Sequence, residues 1–285
     1  MKKLSTLLMV MIALCAVAAD SQGQGFGGIT GTPKVYFGWT EHSNGSTWAL
    51  NRHTSTGDST GNAAWPLRGF WLGASKDLAI GDSFGFLVFG SVFLPQRSSG
   101  TWREEPGPRT FDFEIPQYDW WSIDGLAKCS LTGGAEVLAG FRWDHTSTRV
   151  NYSDNTDDDY ILNAYLPLIG MQLNKRSSNC SMLLRCVGSP WVGGRLKYHY
   201  WDNLGYAEFG DFRANNGYFL ELFADCSMRI AGDLGVGGFV KWNYLHVKTD
   251  KQNLSGSTAD PVYWVIDVRS WTFGATLSLV FASPF

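Results

Sequence analysis

The chain is short of charge, and after its first residues it has no long apolar run. Only 17% of its 285 residues are Asp, Glu, Lys or Arg. A disordered segment needs high charge and few aromatics, and aromatics here reach 15%, so disorder is excluded for the bulk of the chain. No stretch beyond the N-terminus approaches the ~20 apolar residues of a spanning helix, which excludes a helical membrane protein. A formal net charge of −3 leaves no basic footprint for nucleic acid. The five histidines (42, 53, 145, 199, 246) are scattered singly, with no HExxH and no zinc-ligand spacing. No metal or other cofactor is expected.

The N-terminus has a positive start, Met1-Lys2-Lys3, an apolar stretch Leu4–Leu14 and small residues at Ala16-Val17-Ala18. That is the layout of a secretory signal peptide, residues 1–19. A lipoprotein signal ending at Cys15 would want a small residue at position 14, where Leu14 stands. Residues 20–32 are Gly-rich and read as a flexible lead-in, so the folded part is expected at 33–285.

In that part the apolar pattern has period two. Trp271, Phe273, Ala275, Leu277, Leu279 and Phe281 alternate with small or polar residues, and similar alternation marks 135–145, 217–228 and 234–247. Further strands are expected at 34–42, 67–75, 83–94, 121–130, 163–173 and 181–199, the last with a Gly-Ser-Pro interruption at 188–190 that suggests a bulge. Between these ten strands, long polar segments (43–66, 95–120, 146–162, 200–216, 248–267) alternate with short turns. Long loops at one end, short turns at the other and an even strand number predict an all-β fold: a closed, antiparallel, up-and-down transmembrane β-barrel of about ten strands in a bacterial outer membrane.

Side-chain parity then assigns roles. Asp124, Lys128, Glu136, Arg142, Asp144, Arg185, Arg195, Lys197, Glu221, Asp225 and Lys241 fall on the expected lumen face. Both signs occur in similar number, as a self-neutralised plug requires; the other reading is an ion path. Trp39, Trp71, Trp121, Trp143, Tyr198, Tyr218, Trp242, Tyr244, Trp264 and Trp271 lie near the loop ends of their strands, where an aromatic girdle would meet the membrane interface. Leu277, Leu279, Phe281 and the terminal Phe285 resemble the C-terminal signal read by the barrel-assembly machinery.

Other motifs point to turns and rims. Gly81-Asp82-Ser83-Phe84-Gly85 matches G-x-S-x-G, but a turn precedes the serine and a strand follows it, so a nucleophile elbow is not expected. Asp154–Asp159 (DNTDDD) lacks the glycine and closing glutamate of a calcium loop and reads as a solvated acidic segment. Four cysteines remain after processing. Cys180 and Cys226, on neighbouring strands near one rim, are the candidate disulfide in an oxidising compartment.

The mature chain as a whole resembles outer-membrane β-barrel proteins of Gram-negative bacteria. GFWLGAS (69–75), AGFRWDH (139–145), NAYLPLIGMQLN (163–174), NNGYFLELFAD (215–225) and FVKWNYLHV (239–247) resemble the poorly characterised family named for the Protochlamydia outer membrane protein. That resemblance implies a barrel without known catalysis. Ten strands with five external loops also resemble omptin proteases, whose architecture implies an Asp pair and an Asp-x-His dyad at the outer rim. Asp112, Glu114 and Asp119 fall in the second long segment, and His199 and Asp202 at the fourth. His199-Tyr200-Trp201-Asp202 reverses the dyad order and adds a residue, so the carry-over fails there. The expected function is a structural or surface-exposed binding protein with a largely plugged lumen. A narrow porin-like channel and an omptin-like rim protease are the alternatives. Expected partners are outer-membrane lipid and lipopolysaccharide, the assembly machinery and an extracellular ligand.

Overall fold

The computed structural model describes residues 29–279, apart from 31–32, 44–45, 55–56, 66, 81–82, 97, 106–108, 178, 232–233 and 256–260. The expected signal peptide, most of the Gly-rich lead-in, and Phe281 and Phe285 of the terminal motif lie outside the described residues.

The strands are β1 (Ile29–Thr30), β2 (Pro33–His42), β3 (Thr47–Thr54), β4 (Gly57–Ala64), β5 (Arg68–Ile80), β6 (Phe84–Pro95), β7 (Ser98–Glu105), β8 (Thr110–Ser130), β9 (Ala135–Tyr152), β10 (Thr156–Arg176), β11 (Cys180–Ser189), β12 (Gly193–Asp202), β13 (Ala207–Ala231), β14 (Leu234–Thr249) and β15 (Val262–Leu279). They form one antiparallel sheet that closes on itself where β15 pairs β2, Phe273 opposite Trp39. Several strands run end to end as single staves. β15 pairs β2 low down and β3 higher up, and β8 likewise pairs β6 and then β7. β10 pairs β11 and then β12. Counted as staves, β2/β3, β4/β5, β6/β7, β8, β9, β10, β11/β12, β13, β14 and β15 make the expected ten-stave ring. Closure pairs the lower part of each stave on both sides among the described residues, as a lipid-facing sheet requires.

One expectation is corrected. The long segments are largely not irregular loops but the upper parts of the staves, except between β14 and β15, where the described residues 250–255 lie outside the strands. β9 and β10 stay paired up to Asn151 opposite Asp157, beyond which Asn155 turns at φ 64°. β12 and β13 pair up to Trp201 opposite Ala207, next to a turn holding Gly205 at φ 87°. The 25 residues of β13 make a contour of about 80 Å at ~3.3 Å per residue, more than twice the ~9–11 residues that cross hydrocarbon. The barrel is therefore tall, with a sheet extension standing on its membrane-sized part. At the opposite end the connections are short. The one between β8 and β9 turns through Gly133 and Gly134 at φ 76° and 83°, a left-handed backbone that glycine adopts without strain.

Bulges adjust which residues face inward. Tyr165 pairs Gly193 and Ile169 pairs Gly188, so the β11/β12 stave carries one residue more than β10 over that interval. The extra residue at the Gly-Ser-Pro interruption flips the parity of everything above it. β13 shifts register at Ala214/Asn216 in step with it.

Candidate functional site: the barrel lumen and its extension

At membrane level the lumen holds a closed charge network. Glu221 on β13 is its hub. Arg142 on β9 donates through Nη2 to Glu221 Oε2 at 2.8 Å, Arg185 on β11 donates to Oε1 at 2.7 Å, and Lys241 Nζ on β14 lies 3.2 Å from Oε2. Arg142 also makes a two-pronged contact to Asp124 on β8, both bonds 2.6 Å. The Glu221 side chain has no exposed surface and that of Arg142 is 1% exposed. Strand register brings these residues together, since Asp124 pairs Arg142 directly on adjacent strands. Aromatic faces pack on the cations: Phe219 lies 4.5 Å from the Arg142 guanidinium, Phe223 5.0 Å from that of Arg185, and Trp71 5.0 Å from the Lys241 ammonium. Asp144 is buried beside this cluster, and one of its oxygens has no hydrogen-bond partner among the described residues.

Toward the short turns two smaller clusters continue the plug. Lys34 pairs with Asp225, which also accepts from Thr276 Oγ1 at 3.0 Å. Lys128 bridges Asp77 and Glu136, the latter at 3.2 Å, and Gln172 donates to Glu136. Nine of the eleven expected lumen residues therefore point inward. Arg195 and Lys197 do not: they are exposed on the outer wall. The bulge below β12 is the physical reason, because it exchanges the faces of Arg195 and Lys197 relative to Arg185.

In the extension the interior changes character. Trp48, Trp65, Phe113, Tyr160, Tyr198 and Trp264 pack into a buried aromatic core, with Tyr160 contacting Trp264 edge-on at 5.2 Å and Trp48 stacking on Trp65 at 4.9 Å. Inside it Asp158 accepts from Tyr160 Oη at 2.5 Å and Tyr152 Oη at 2.8 Å. Burial pushes the Asp158 carboxyl up to about 6, against the lowering effect of the tyrosine hydroxyls. Burial and the neighbouring carboxylate raise Tyr160 well above the ordinary phenol range.

The girdle expectation is corrected at three positions. Trp71, Tyr198 and Trp264 are buried inside the barrel. Trp71 belongs to the lumen-facing parity of β5, Tyr198 is turned inward by the bulge, and Trp264 belongs to the extension's core. The other seven lie on the outer wall and touch one another or further outward rings. Trp121 meets Trp143 at 4.8 Å and Trp143 stacks with Tyr165 at 6.1 Å. Tyr218 meets Tyr244 at 5.3 Å, Trp242 meets Trp271 at 6.4 Å, and Trp39 packs edge-on against Phe70 at 5.3 Å. Phe70 and Tyr165 were missed in the sequence because each stands beside a more conspicuous tryptophan or proline. Of the terminal motif, Leu277 lies on the outward parity of β15, and the Leu279 backbone pairs with Leu234.

The remaining candidates do not converge. Asp112 and Glu114 are exposed on β8, and Asp119 is half-buried on the same outer wall. His199 stacks on Phe209 at 4.2 Å. β9 and β10 lie between β8 and β12, so Asp119 and His199 are separated by three inter-strand steps, about 14 Å at ~4.8 Å each, and form no dyad. Asp202 caps its own turn, accepting from the backbone N–H groups of Leu204 and Tyr206. In the acidic segment Asp154 accepts from Thr156, Asp159 pairs with Arg149 and Asp158 turns inward, so its carboxylates are split between faces. The Cys180 and Cys226 sulfurs lie 3.9 Å apart on the outer face near the short-turn end, as two free thiols.

No protein-family model matches the chain, so the Protochlamydia resemblance gains no support there, and no curated protein matches it either. Solved structures do match. The outer membrane protease OmpT from Escherichia coli aligns with a TM-score of 0.66 and 11% identity, over 91% of this chain and 99% of that one. Neisserial surface protein A aligns with a TM-score of 0.34, 11% identity and 89% of this chain against 99% of that one. Ail, the attachment invasion locus protein of Yersinia pestis, aligns at 0.27 and 10%, over 88% and 99%. At such identities the likeness is one of fold: the chain has the closed antiparallel architecture of bacterial outer-membrane β-barrels.

Proposed function

We propose that this is an exported, integral outer-membrane protein whose plugged barrel anchors a rigid extension that binds or contacts partners outside the cell. The observation that carries the reading is the Glu221 hub, where three cations meet one carboxylate with no solvent-exposed surface. A buried ion cluster of this kind ties staves together across the lumen and favours a filled centre over an aqueous path in so small a barrel. The outer wall supports membrane insertion. Phe84, Phe141, Ile169, Met171, Leu222, Met228 and Phe273 are large, apolar and exposed, and only hydrocarbon makes such a band favourable. Insertion of this kind calls for lipid and lipopolysaccharide around the wall and for the assembly machinery during biogenesis. The buried aromatic core favours the rigidity of a binding platform over that of a mobile loop.

Planar-bilayer recording tests the plug. The refolded chain is expected to be silent. A Glu221→Ser/Arg142→Ser/Lys241→Ser variant that still shows heat-modifiable gel migration is expected to conduct. Steady conductance of the unaltered chain would favour the narrow channel instead. Protease treatment of whole cells, cutting only at the tips near residues 154 and 204, tests the outward placement of the extension.

A further inference from the structure

Beyond its first eleven residues the chain has three methionines, Met171, Met182 and Met228. All three are exposed on one stretch of the outer wall, formed by β10, β11 and β13. The sheet register sets each of them directly opposite a cysteine. Met171 pairs Cys186, Met182 pairs Cys226 and Met228 pairs Cys180. Contact with lipid asks only for a large apolar side chain, and Leu, Ile and Phe fill that role elsewhere on the wall. It gives no reason for sulfur to face sulfur three times.

The two lower pairs come from one short motif used twice. Cys180-Ser181-Met182 on β11 and Cys226-Ser227-Met228 on β13 run antiparallel with their serines opposite each other. Two identical triplets paired about their central residue form a local two-fold arrangement, so each cysteine meets a methionine. The serine hydroxyls lie 2.7 Å apart and hold that register. Period two puts the serines on one face of the sheet and the four sulfur-bearing residues on the other.

Diagonally across this cluster the Cys180 and Cys226 sulfurs are 3.9 Å apart. Two sulfurs at that separation, each ~2.3 Å from a shared metal ion, subtend an angle of about 115°, between the tetrahedral and trigonal values. A disulfide would require the sulfurs to close to ~2.05 Å. Methionine is one methylene longer than cysteine and has a flexible side chain, so its thioether can swing to a centre held by the thiol across from it. On β14, Gly238 stands opposite Cys226, and a side chain there would meet only the Gly274 carbonyl at 3.5 Å, so the approach to the thiol is open. The one carboxylate within the motif's reach, Asp225, has the inward parity and is held by Lys34 and Thr276.

Histidine spacing gave no zinc pattern, but a sulfur-only donor set answers to a different metal. Zinc takes thiolate, imidazole and carboxylate, and hard cations take oxygen, whereas mixed thiolate and thioether sulfur selects Cu(I). We propose that Cys180, Met182, Cys226 and Met228 bind one Cu(I) ion at the short-turn end of the outer wall. Binding breaks the two S–H bonds, releases both protons to solvent and donates the sulfur electron pairs to the metal, whose oxidation state does not change. Two thiolates and one Cu(I) leave a single net negative charge, which Lys175, opposite Met182 on β10, offsets. The site depends on the β11–β13 register and not on the membrane placement proposed above.

The test uses the full mature chain, refolded in detergent micelles and kept reduced without oxygen. Cu(I) is titrated against bicinchoninate, a colorimetric chelator, and Zn(II) is titrated separately. One Cu(I) per chain is expected, with a sulfur-only first shell by X-ray absorption. Cys180→Ser/Cys226→Ser is expected to weaken Cu(I) binding about a hundredfold, and Met182→Leu/Met228→Leu about tenfold, because soft donors carry the affinity. The methionine change is expected to leave Zn(II) binding as it was, since zinc does not use thioethers. Cys186→Ser, a single thiol higher on the wall, is expected to change Cu(I) affinity less than about twofold. Unchanged Cu(I) affinity in the cysteine variant overturns the site, and unchanged affinity in the methionine variant reduces it to a bare dithiol and overturns the four-sulfur proposal. A loss in Cys186→Ser equal to that of the double cysteine variant places the metal elsewhere and overturns it too. A second measurement needs no variant: on the unaltered chain Cu(I) is expected to protect Cys180 and Cys226, but not Cys186, from alkylation by a maleimide. Failure to protect them overturns the proposal even where a variant misfolds. Heat-modifiable migration on the same preparations reports the fold.

Discussion

The two halves of the barrel solve opposite solvent problems with one sheet, and β15 shows both solutions on a single strand. In its upper part Val262, Trp264 and Ile266 are buried inside, while Asp267 and Arg269 stand on the outer parity. From Ser270 downward the faces trade. Ser270, Thr272, Thr276 and Ser278 line the lumen, and Trp271 and Phe273 are exposed outside. The strand needs no break for this. Its alternation continues, and only the chemistry assigned to each parity inverts where the surroundings change from water to lipid. The extension therefore has a mainly aromatic interior and a polar outer face, and the lower part a charged interior and an apolar outer face.

The largest expected loss lies in the lower half. Glu221→Ala leaves Arg142, Arg185 and Lys241 crowded together with their shared carboxylate gone, and losing one partner of a buried ion cluster costs about 3–5 kcal/mol. Urea unfolding in lipid should register that loss, and an unchanged midpoint would refute the hub. Trp264→Ala should cost the extension about 3–5 kcal/mol through the cavity it leaves. Here the halves should part company: the tips become protease-sensitive while heat-modifiable migration persists. Loss of both together would show that the halves unfold as one unit.

The outer faces give the sharpest contrast. Leu222→Arg places a charge on the lipid face of the lower half, at a cost of about 2–4 kcal/mol near the midplane. Ile161→Arg on the outer wall of the extension should change stability by about 0.5 kcal/mol or less, as for an ordinary surface site. Similar costs at both sites would remove the distinction between the halves.

A smaller effect concerns Asp158. Its folded carboxyl titrates near 6, above its unfolded value of about 3.9. A group raised in this way favours the fold fully at pH values below the unfolded pKa and loses that contribution as pH rises through about 6. Melting of the extension should therefore fall between about pH 4 and 6, and Asp158→Asn should flatten the slope. A slope unchanged in the variant would assign the effect elsewhere. The smallest expected change is at Cys180 and Cys226. Mild oxidation of the unaltered protein should remove two titratable thiols without producing dimers, and a count unchanged after oxidation would show that the pair does not bridge.

Alternation every second residue, with turn residues between, was enough to give ten staves, antiparallel pairing and closure. It also placed nine lumen residues, because on strands such as β9 and β14 parity runs unbroken from end to end. It failed where one inserted residue near Pro190 reversed the faces of β12, which moved Arg195 and Lys197 outward and Tyr198 inward. It also failed in the upper staves, where polar residues such as Asp157 and Asp159 resemble loop chemistry although they alternate with a buried Asp158 and Tyr160.

What the chain's own pattern settled was which residues share a face, since side-chain parity is a local property of an extended backbone. What only the tertiary structure decided was which face is inside at each height, and which distant charges meet. A bulge's direction, the convergence of Arg142, Arg185 and Lys241 on Glu221, and the height at which a strand leaves lipid all depend on ring closure. Ring closure brings together residues as far apart in the chain as Thr40 and Thr272, which no local spacing connects.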